Sequence, residues 1–323
     1  MNASMTRRSW LTHSATALAG LASAYAAGSA QQPITQAPPI ARPAEEPFGY
    51  CLNTSTLSGQ RLGIVELIEI AARAGYQAME PWIRELDQFV QEGGNLKELG
   101  RRFRDRGMSV ESVIGFSEWI VDDEERRKKG LEDFKRCLDM SAQIGAKRIA
   151  APPAGATTQA DLSVERIAQR YRTILELGDQ FGVVPQLEIW GFSRTVQRLG
   201  EALHIAAEAD HPKACILADI YHLYKGGSSF HGLKLLGPNT MFVLHCNDYP
   251  ADPDRSTIRD EHRIYPGDGI APLKQIFRDL HAAGFRGWLS LELFNRDYWK
   301  QDPLVVAKTG LEKMRSAVRT AFA

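Results

Sequence analysis

From Phe48 onward the chain alternates short apolar runs with longer stretches whose apolar residues recur at helical spacing. The short runs begin near Phe48, Tyr76, Met108, Lys147, Val183, Ala214, Met241 and Trp288. Between them lie amphipathic segments. In Gly63–Ala74 the residues Ile64, Leu67, Ile68 and Ala71 share one face, and Gly75 supplies a stop. Asp123–Ile144 and Asp161–Phe181 repeat the pattern with charges on the far face, and Gly145 and Gly182 follow them. Pro303 opens a last helix that reaches about Phe322. Eight strand candidates alternating with helices predict an α/β fold with a parallel sheet, and eight units predict closure into a (β/α)8 TIM barrel. An open doubly wound sheet is the competing architecture. For a dinucleotide enzyme of that kind, the expected GxGxxG after the first strand is missing.

The periodic pattern excludes the N-terminus. Arg7 and Arg8 precede a mildly apolar, uncharged run from Ala15 to Ala27, with small residues suited to cleavage close by. Residues 1–30 are therefore expected to be a signal peptide of the twin-arginine type, and the mature protein periplasmic or secreted. Residues 31–47 carry Pro33, Pro38, Pro39, Pro43 and Pro47 and are expected to be an extended linker. That leaves 48–323 for the barrel.

Composition narrows the classes. The 323 residues are 44% hydrophobic, with 39 basic and 39 acidic side chains and a formal net charge of zero. A nucleic-acid partner is not expected without a basic excess. No run approaches the roughly 20 apolar residues of a membrane span, so no stable membrane insertion is expected once a signal is cleaved. Cys51, Cys137, Cys215 and Cys246 form no CxxC pair and are too scattered for a disulfide framework.

In a barrel of this kind the chemistry sits at the C-terminal ends of the strands. Four apolar runs close on a polar residue: Val184–Glu188, Cys215–Asp219, Phe242–His245 and Trp288–Glu292. They belong to expected strands five to eight, so Glu188, Asp219, His245 and Glu292 would converge on one side of the mouth. Taken singly, each carboxylate has a commoner use as a helix cap or ion-pair partner, and a lone histidine as a core residue. Together they make an oxygen-rich donor set that suits Mn2+, Mg2+ or Co2+ better than a structural zinc.

The segments around these residues closely resemble the sugar phosphate isomerase/epimerase family, the xylose-isomerase-like TIM barrels. The resemblance rests on 186–191 (Gln-Leu-Glu-Ile-Trp-Gly), 219–227 (Asp-Ile-Tyr-His-Leu-Tyr-Lys-Gly-Gly), 245–250 (His-Cys-Asn-Asp-Tyr-Pro), 265–269 (Tyr-Pro-Gly-Asp-Gly) and 290–295 (Ser-Leu-Glu-Leu-Phe-Asn). It covers essentially Phe48 to Phe322. It implies one divalent metal held by Glu188, Asp219, His245 and Glu292, with Glu188 and Glu292 doubling as acid/base groups. It also implies that His222 and Arg263 contact substrate, that Glu80 lies near the pocket, and that the protein is a homodimer or homotetramer. With eight histidines, mostly on predicted helices or loops, the chain does not suit the family's endonuclease branch and its several extra histidine ligands.

The expected activity is isomerisation or epimerisation of a small non-phosphorylated keto-sugar, through carboxylate proton abstraction and a metal-stabilised enediolate. A lyase or hydratase acting on 3-keto-sugars or 3-keto-glycosides is the first alternative, and a non-catalytic sugar-binding barrel the second. Trp82, Phe116 and Trp119 follow strands two and three, where they are placed either to line the mouth and stack on the sugar's apolar face or to pack the loops; Trp119 is chosen as the stacking platform. Asn53 is read as a turn former. The charged run Asp122–Lys129 is read as a solvated helix start. The long segment Asn247–Gly269 is expected to be a lid or pocket wall. The bulky 295–298 (Asn-Arg-Asp-Tyr) offers no glycine-rich phosphate cradle.

Overall fold

The computed structural model describes residues 46–159 and 161–323. The expected signal, 1–30, and all but the last two residues of the expected linker lie outside the described residues. Among the described residues, no helix is long and apolar enough to cross a membrane.

Eight parallel strands are present among the described residues: β1 (Gly49–Asn53), β2 (Ala78–Glu80), β3 (Ser109–Val110), β4 (Arg148–Ala151), β5 (Val184–Glu188), β6 (Ile216–Asp219), β7 (Met241–Cys246) and β8 (Trp288–Leu291). They form one curled sheet in the order β3-β2-β1-β8-β7-β6-β5-β4. Where the order ends, single backbone bonds cross from β3 to β4. Lys147 N donates to Val110 O at 3.2 Å, Val113 N to Arg148 O at 3.0 Å and Ala150 N to Val113 O at 2.8 Å. The architecture is the expected (β/α)8 barrel.

The helices begin and end where local chemistry directs. Asp123 caps Glu124–Ile144 by accepting from Arg126 N at 2.8 Å, and Asp302 caps Pro303–Phe322 by accepting from Val305 N at 3.0 Å. The helix expected over Asp161–Phe181 starts at Val164, because Ser163 takes the cap position and accepts from Arg166 N. The link from β2 to β3 holds two helices, Ile83–Gln91 and Leu96–Asp105.

The barrel interior is a small core of its own. Cys51, Ala78, Ile114, Ala150, Leu217, Val243 and Trp288 are buried together there. A Cβ on Gly49 would lie 2.4 Å from the Trp288 ring, so only glycine leaves room for the indole. The larger core lies between strands and helices. Trp119 belongs to it: it is fully buried, packs on Tyr171 and donates its indole N–H to Pro152 O at 2.9 Å. The structure thus withdraws Trp119 from the mouth, where a stacking platform would have to be.

The segment 247–269 is a packed wall. Asp248 is buried, and its carboxylate accepts from four backbone amides: Tyr249, Gly267, Gly269 and Ala271. Tyr249 stacks on Tyr224 at 3.9 Å between centroids. This clamp fixes both ends of the loop that delivers Arg263.

Candidate metal centre

Strand register explains the gathering of the four residues. Asp219 of β6 lies level with His245 of β7, and His245 lies level with Ser290 of β8. Glu188 ends β5 opposite Leu217, one inward-facing position below Asp219. Glu292 lies two residues beyond Ser290, just past the end of β8. All four side chains are buried, with at most 4% of the residue exposed.

His245 stands at the centre. Its Nδ1 lies 3.1 Å from Glu292 Oε2, 3.6 Å from Asp219 Oδ2 and 3.9 Å from Glu188 Oε1, yet makes no hydrogen bond. Donor atoms of Asp219, His245 and Glu292 all fall within 4.8 Å of one another. The opposite ring nitrogen, Nε2, meets Glu80 Oε2 at 3.0 Å. That is the arrangement of a metal-binding imidazole, oriented from behind by a carboxylate that fixes which nitrogen faces the ion. One cation among Asp219 Oδ2, Glu292 Oε2 and Nδ1 would bring their charges together, so this donor set fits a divalent metal; the expected fourth ligand, Glu188, stands outside that closest group. Glu188 adds a further free donor, because its Oε2 accepts no hydrogen bond.

Electrostatics points the same way. Four buried carboxylates, Glu80, Glu188, Asp219 and Glu292, share the site with one guanidinium, Arg263, and two imidazoles, His245 and His222. Burial of so much negative charge is costly without a compensating cation. Burial pushes the Glu188 carboxyl up to about 8, with Glu292 and Asp219 adding to the shift and His245 opposing it. Burial also raises Glu292, against the pull of His245 and Arg263. For Asp219 the burial effect is outweighed by Arg263, His222 and His245, and the carboxyl stays ionised far below the usual range. His245 is driven well above its ordinary value, because Glu292 and Glu80 outweigh its burial.

Asp219 plays both parts that its sequence position allowed. Its Oδ1 caps the helix Ile220–Gly226 by accepting from His222 N at 2.8 Å, while Oδ2 faces the centre. The short helix turns His222 into the site. His222 Nε2 lies 3.1 Å from Arg263 Nη2 and so accepts from it, which leaves the proton on Nδ1; that atom has no hydrogen-bond partner. Burial and the adjacent guanidinium, opposed by Asp219, hold His222 down at about 4, so it is neutral. Gly191 lets this turn approach: a Cβ there would meet His222 O at 2.2 Å.

Arg263 is buried beneath the mouth. Its Nη1 donates to Asp219 Oδ2 at 2.7 Å and to Glu292 Oε2 at 2.8 Å, and Nη2 also donates to Asp260 Oδ1 at 2.5 Å. The resemblance made it a substrate contact; in the structure Asp219, Glu292, His222 and Asp260 occupy its Nη1 and Nη2 donors, while its buried Nε has no hydrogen-bond partner.

Asn53 is the turn former the sequence suggests, its Oδ1 accepting from Ser55 N at 3.0 Å at the start of 54–60, and it also enters the site. It ends β1 level with Glu80 on β2, and its carboxamide nitrogen donates to Glu80 Oε2 at 3.0 Å and Glu292 Oε1 at 3.1 Å. Its oxygen accepts from Trp82 Nε1 at 2.8 Å. Ser290 also donates to Glu80 Oε2, at 2.7 Å. The pointer was the strand-end position itself, the same one that singled out the other four residues. Aromatic rings border the site. Trp82 meets Phe294 at 6.0 Å and Phe116 at 5.0 Å, Phe116 meets Trp190 at 5.7 Å, Trp190 meets Phe192 at 5.3 Å, and Phe192 meets His222 at 5.7 Å.

Residues 68–317 match the family described as the xylose isomerase-like TIM barrel. The chain belongs to that family. This xylose isomerase-like barrel is 24% identical over 282 residues to an inosose isomerase of Bacillus velezensis, across 84% of this chain and 98% of that protein. It is 24% identical over 275 residues to a fructoselysine 3-epimerase of Escherichia coli O157:H7, across 81% of this chain and 96% of that protein. A solved structure described as the IolI protein with a binding zinc atom superposes with a TM-score of 0.77 at 22% identity, covering 85% of this chain and 100% of that one. At that identity the structural likeness is one of fold. The named relatives are isomerases and epimerases, and the chain is an enzyme.

Proposed function

We propose that the protein is a divalent-metal-dependent isomerase or epimerase of a non-phosphorylated keto-sugar. The observation that carries this reading is the unpartnered His245 Nδ1 ringed by Glu188, Asp219 and Glu292, with Glu80 behind the imidazole. Glu188, Asp219, His245 and Glu292 would hold the metal. When bound, it would polarise a ketone and the neighbouring hydroxyl and acidify the C–H bond between them.

The protein side chains divide the remaining work. Glu188 is the better proton carrier, because one of its oxygens accepts no hydrogen bond and its carboxyl is raised toward neutral pH. Glu292 is held by Asn53 and Arg263, so its position is fixed more firmly. The two close strands on opposite sides of β6 and β7. If they act on opposite faces of one carbon they invert it; if one carries a proton between adjacent carbons it shifts the carbonyl. The neutral His222 offers its Nδ1–H to a substrate hydroxyl. Arg263 balances the charge of Asp219 and Glu292 through Nη1, and its Nε–H is left without a hydrogen-bond partner. Arg296, in the loop after β8, is paired with Glu261 at 2.7 Å, which favours an uncharged substrate over a phosphorylated one.

The test is exchange of substrate C–H with deuterium in D2O, followed by NMR on a panel of ketoses with Mn2+, Mg2+, Co2+ or Zn2+. Exchange that stops in Glu188→Gln supports the reading. An enone absorbance in place of exchange would make the enzyme a lyase built on the same residues. Metal binding without exchange on any ketose would sink the proposal. We further propose export by the twin-arginine route, on the strength of Arg7 and Arg8 ahead of the apolar run; cell fractionation with Arg7→Lys/Arg8→Lys tests it.

A further inference from the structure

Strand β8 ends at Leu291, one residue short of the carboxylate that the site uses. The pairing of β1 with β8 ends at Leu52 and Leu291, and that of β7 with β8 ends at Cys246 and Leu291. Glu292 therefore lies beyond the ladder on both sides. Leu291 and Leu293 are nevertheless both buried in the larger core between strands and helices, so the alternation of the strand runs on through Glu292. Groups other than neighbouring strand backbone must hold this extended turnout in place.

Thr56 does so from the β1 side. It lies in the short helical segment Thr54–Gln60 that follows β1, and it is fully buried. Its hydroxyl donates to Leu291 O at 2.8 Å and accepts from Leu293 N at 3.1 Å. A residue on a neighbouring parallel strand makes the same two bonds with its own N–H and C=O, to the residues on either side of its partner. One hydroxyl thus takes the place of a strand residue opposite Glu292. The segment that carries it is anchored in turn: Trp299 Nε1 donates to Ser55 O at 3.1 Å, and Gln60 Nε2 donates to Tyr298 O at 3.1 Å. From the β7 side the buried Asn247 donates through Nδ2 to Glu292 O at 3.4 Å and to Asp219 Oδ2 at 3.1 Å.

We infer that Thr56 is a positioning residue of the site: its hydroxyl extends the sheet by one residue past the end of β8 and so aims the Glu292 carboxylate at the metal centre. The inference rests on the proposed metal role of Glu292 and adds the device that orients it. Thr56 acts through the backbone of 291–293 and needs no contact with ion or substrate. Because a side chain replaces the ladder, the chain is free to leave the sheet at Asn53, whose carboxamide is then spent on Glu80 and Glu292. The backbone and the carboxylate of Glu292 are thus both held by residues from the end of β1.

Two substitutions in the full-length protein separate this role from plain packing. Thr56→Val removes the hydroxyl and nearly keeps the shape, whereas Thr56→Ser keeps the hydroxyl and drops the methyl. Titration calorimetry with Mn2+ and with Zn2+ should show about tenfold weaker binding in Thr56→Val, the low end for loss of a group that orients a metal ligand, and parental affinity in Thr56→Ser. Hydrogen-exchange mass spectrometry without metal reads the two bonds themselves. A peptide covering 289–295 should exchange faster in Thr56→Val than in the parent or Thr56→Ser. Melting curves show that each variant is folded; should Thr56→Val fail to fold, Thr56→Ala removes the same hydroxyl and crowds nothing. A folded hydroxyl-free variant that keeps the parental metal affinity overturns the inference, because a threonine that only packs would lower Tm and leave the ion site alone. Unchanged exchange over 289–295 overturns it too, as does a loss of affinity that Thr56→Ser shares. If the parent itself takes up neither ion, the proposed metal chemistry fails, and the exchange comparison alone decides whether Thr56 holds Glu292.

Discussion

Glu80 Oε2 and His245 Nε2 face each other at 3.0 Å beneath the metal centre. The same carboxylate oxygen accepts from Asn53 and Ser290, so three neighbours hold it in place. Burial pushes the Glu80 carboxyl up, but His245 and these hydrogen bonds outweigh it and keep it ionised. An ionised Glu80 makes the imidazole a stronger donor at Nδ1. Glu80→Gln keeps the size of the side chain and removes the charge, so divalent-metal affinity should fall by about 10–100-fold. Titration calorimetry with Zn2+ and Mn2+ measures it, and an unchanged affinity would count against Nδ1 as the ligand atom.

The metal-free protein should lose stability as pH rises. An unfolded Glu188 titrates near ~4.3. In the fold, burial holds it up to about 8. Between those values the folded chain binds more protons than the unfolded one, so stability declines across the window. Glu292, also raised, acts in the same sense. His245 does too: its stabilisation is complete below about 6.5 and is lost as pH climbs through the higher folded value. Asp219 is depressed, and its contribution disappears only as pH falls below about 3.9, outside this window. His222, held down at about 4, acts in the opposite sense between about 4 and 6.5, so calorimetric melting in chelator should show Tm dropping chiefly from about pH 6.5 to about pH 8. Saturating metal should flatten the profile; a flat profile in chelator contradicts the assignment.

Arg263 is the fixed positive charge that Asp219 and Glu292 share. Arg263→Met leaves both carboxylates buried without it, a change that costs about 3–5 kcal/mol. The variant should melt well below the parent in chelator. Added metal should restore more of its Tm than it adds to the parent, because the ion supplies the missing neutralisation. Equal metal-induced shifts in the two proteins would argue that Arg263 does not stabilise the ligand carboxylates.

Trp119 should behave as a core residue. Trp119→Phe leaves the buried Pro152 carbonyl without its donor, at a cost of about 1–3 kcal/mol. Tm should fall while KM for any sugar substrate stays unchanged in the folded enzyme. A raised KM would return Trp119 to the pocket.

The architecture was legible because buried parallel strands and amphipathic helices have different periods, and because Gly145 and Gly182 mark helix ends that the structure shows in left-handed conformation. A polar residue that closes an apolar run reads as a strand end, and that reading located Glu188, Asp219, His245 and Glu292. Loops carry no such period. Trp119 and Phe116 stand three residues apart after β3, yet one turns into the core and the other to the surface. Asn53 was obscured by its own chemistry, since asparagine serves turns as readily as carboxylates. The partners of Arg263 depend on the Asp248 clamp, which joins residues about twenty apart and leaves no local pattern.

The barrel has a seam, and the candidate site avoids it. Asn53, Glu80, Glu188, Asp219, His245 and Glu292 ride on or just beyond β2, β1, β8, β7, β6 and β5, an unbroken run in the sheet. Only the crossing from β3 to β4 depends on scattered bonds. Opening fluctuations should therefore begin there, with the amides of Val113 and Lys147 exchanging sooner than those of β7 in hydrogen-exchange mass spectrometry. A ring that can part on one side while its opposite wall stays whole keeps its ion-binding geometry through such breathing. In that exchange experiment the six strands under the site should open as one cooperative unit, with the seam taking up the slack.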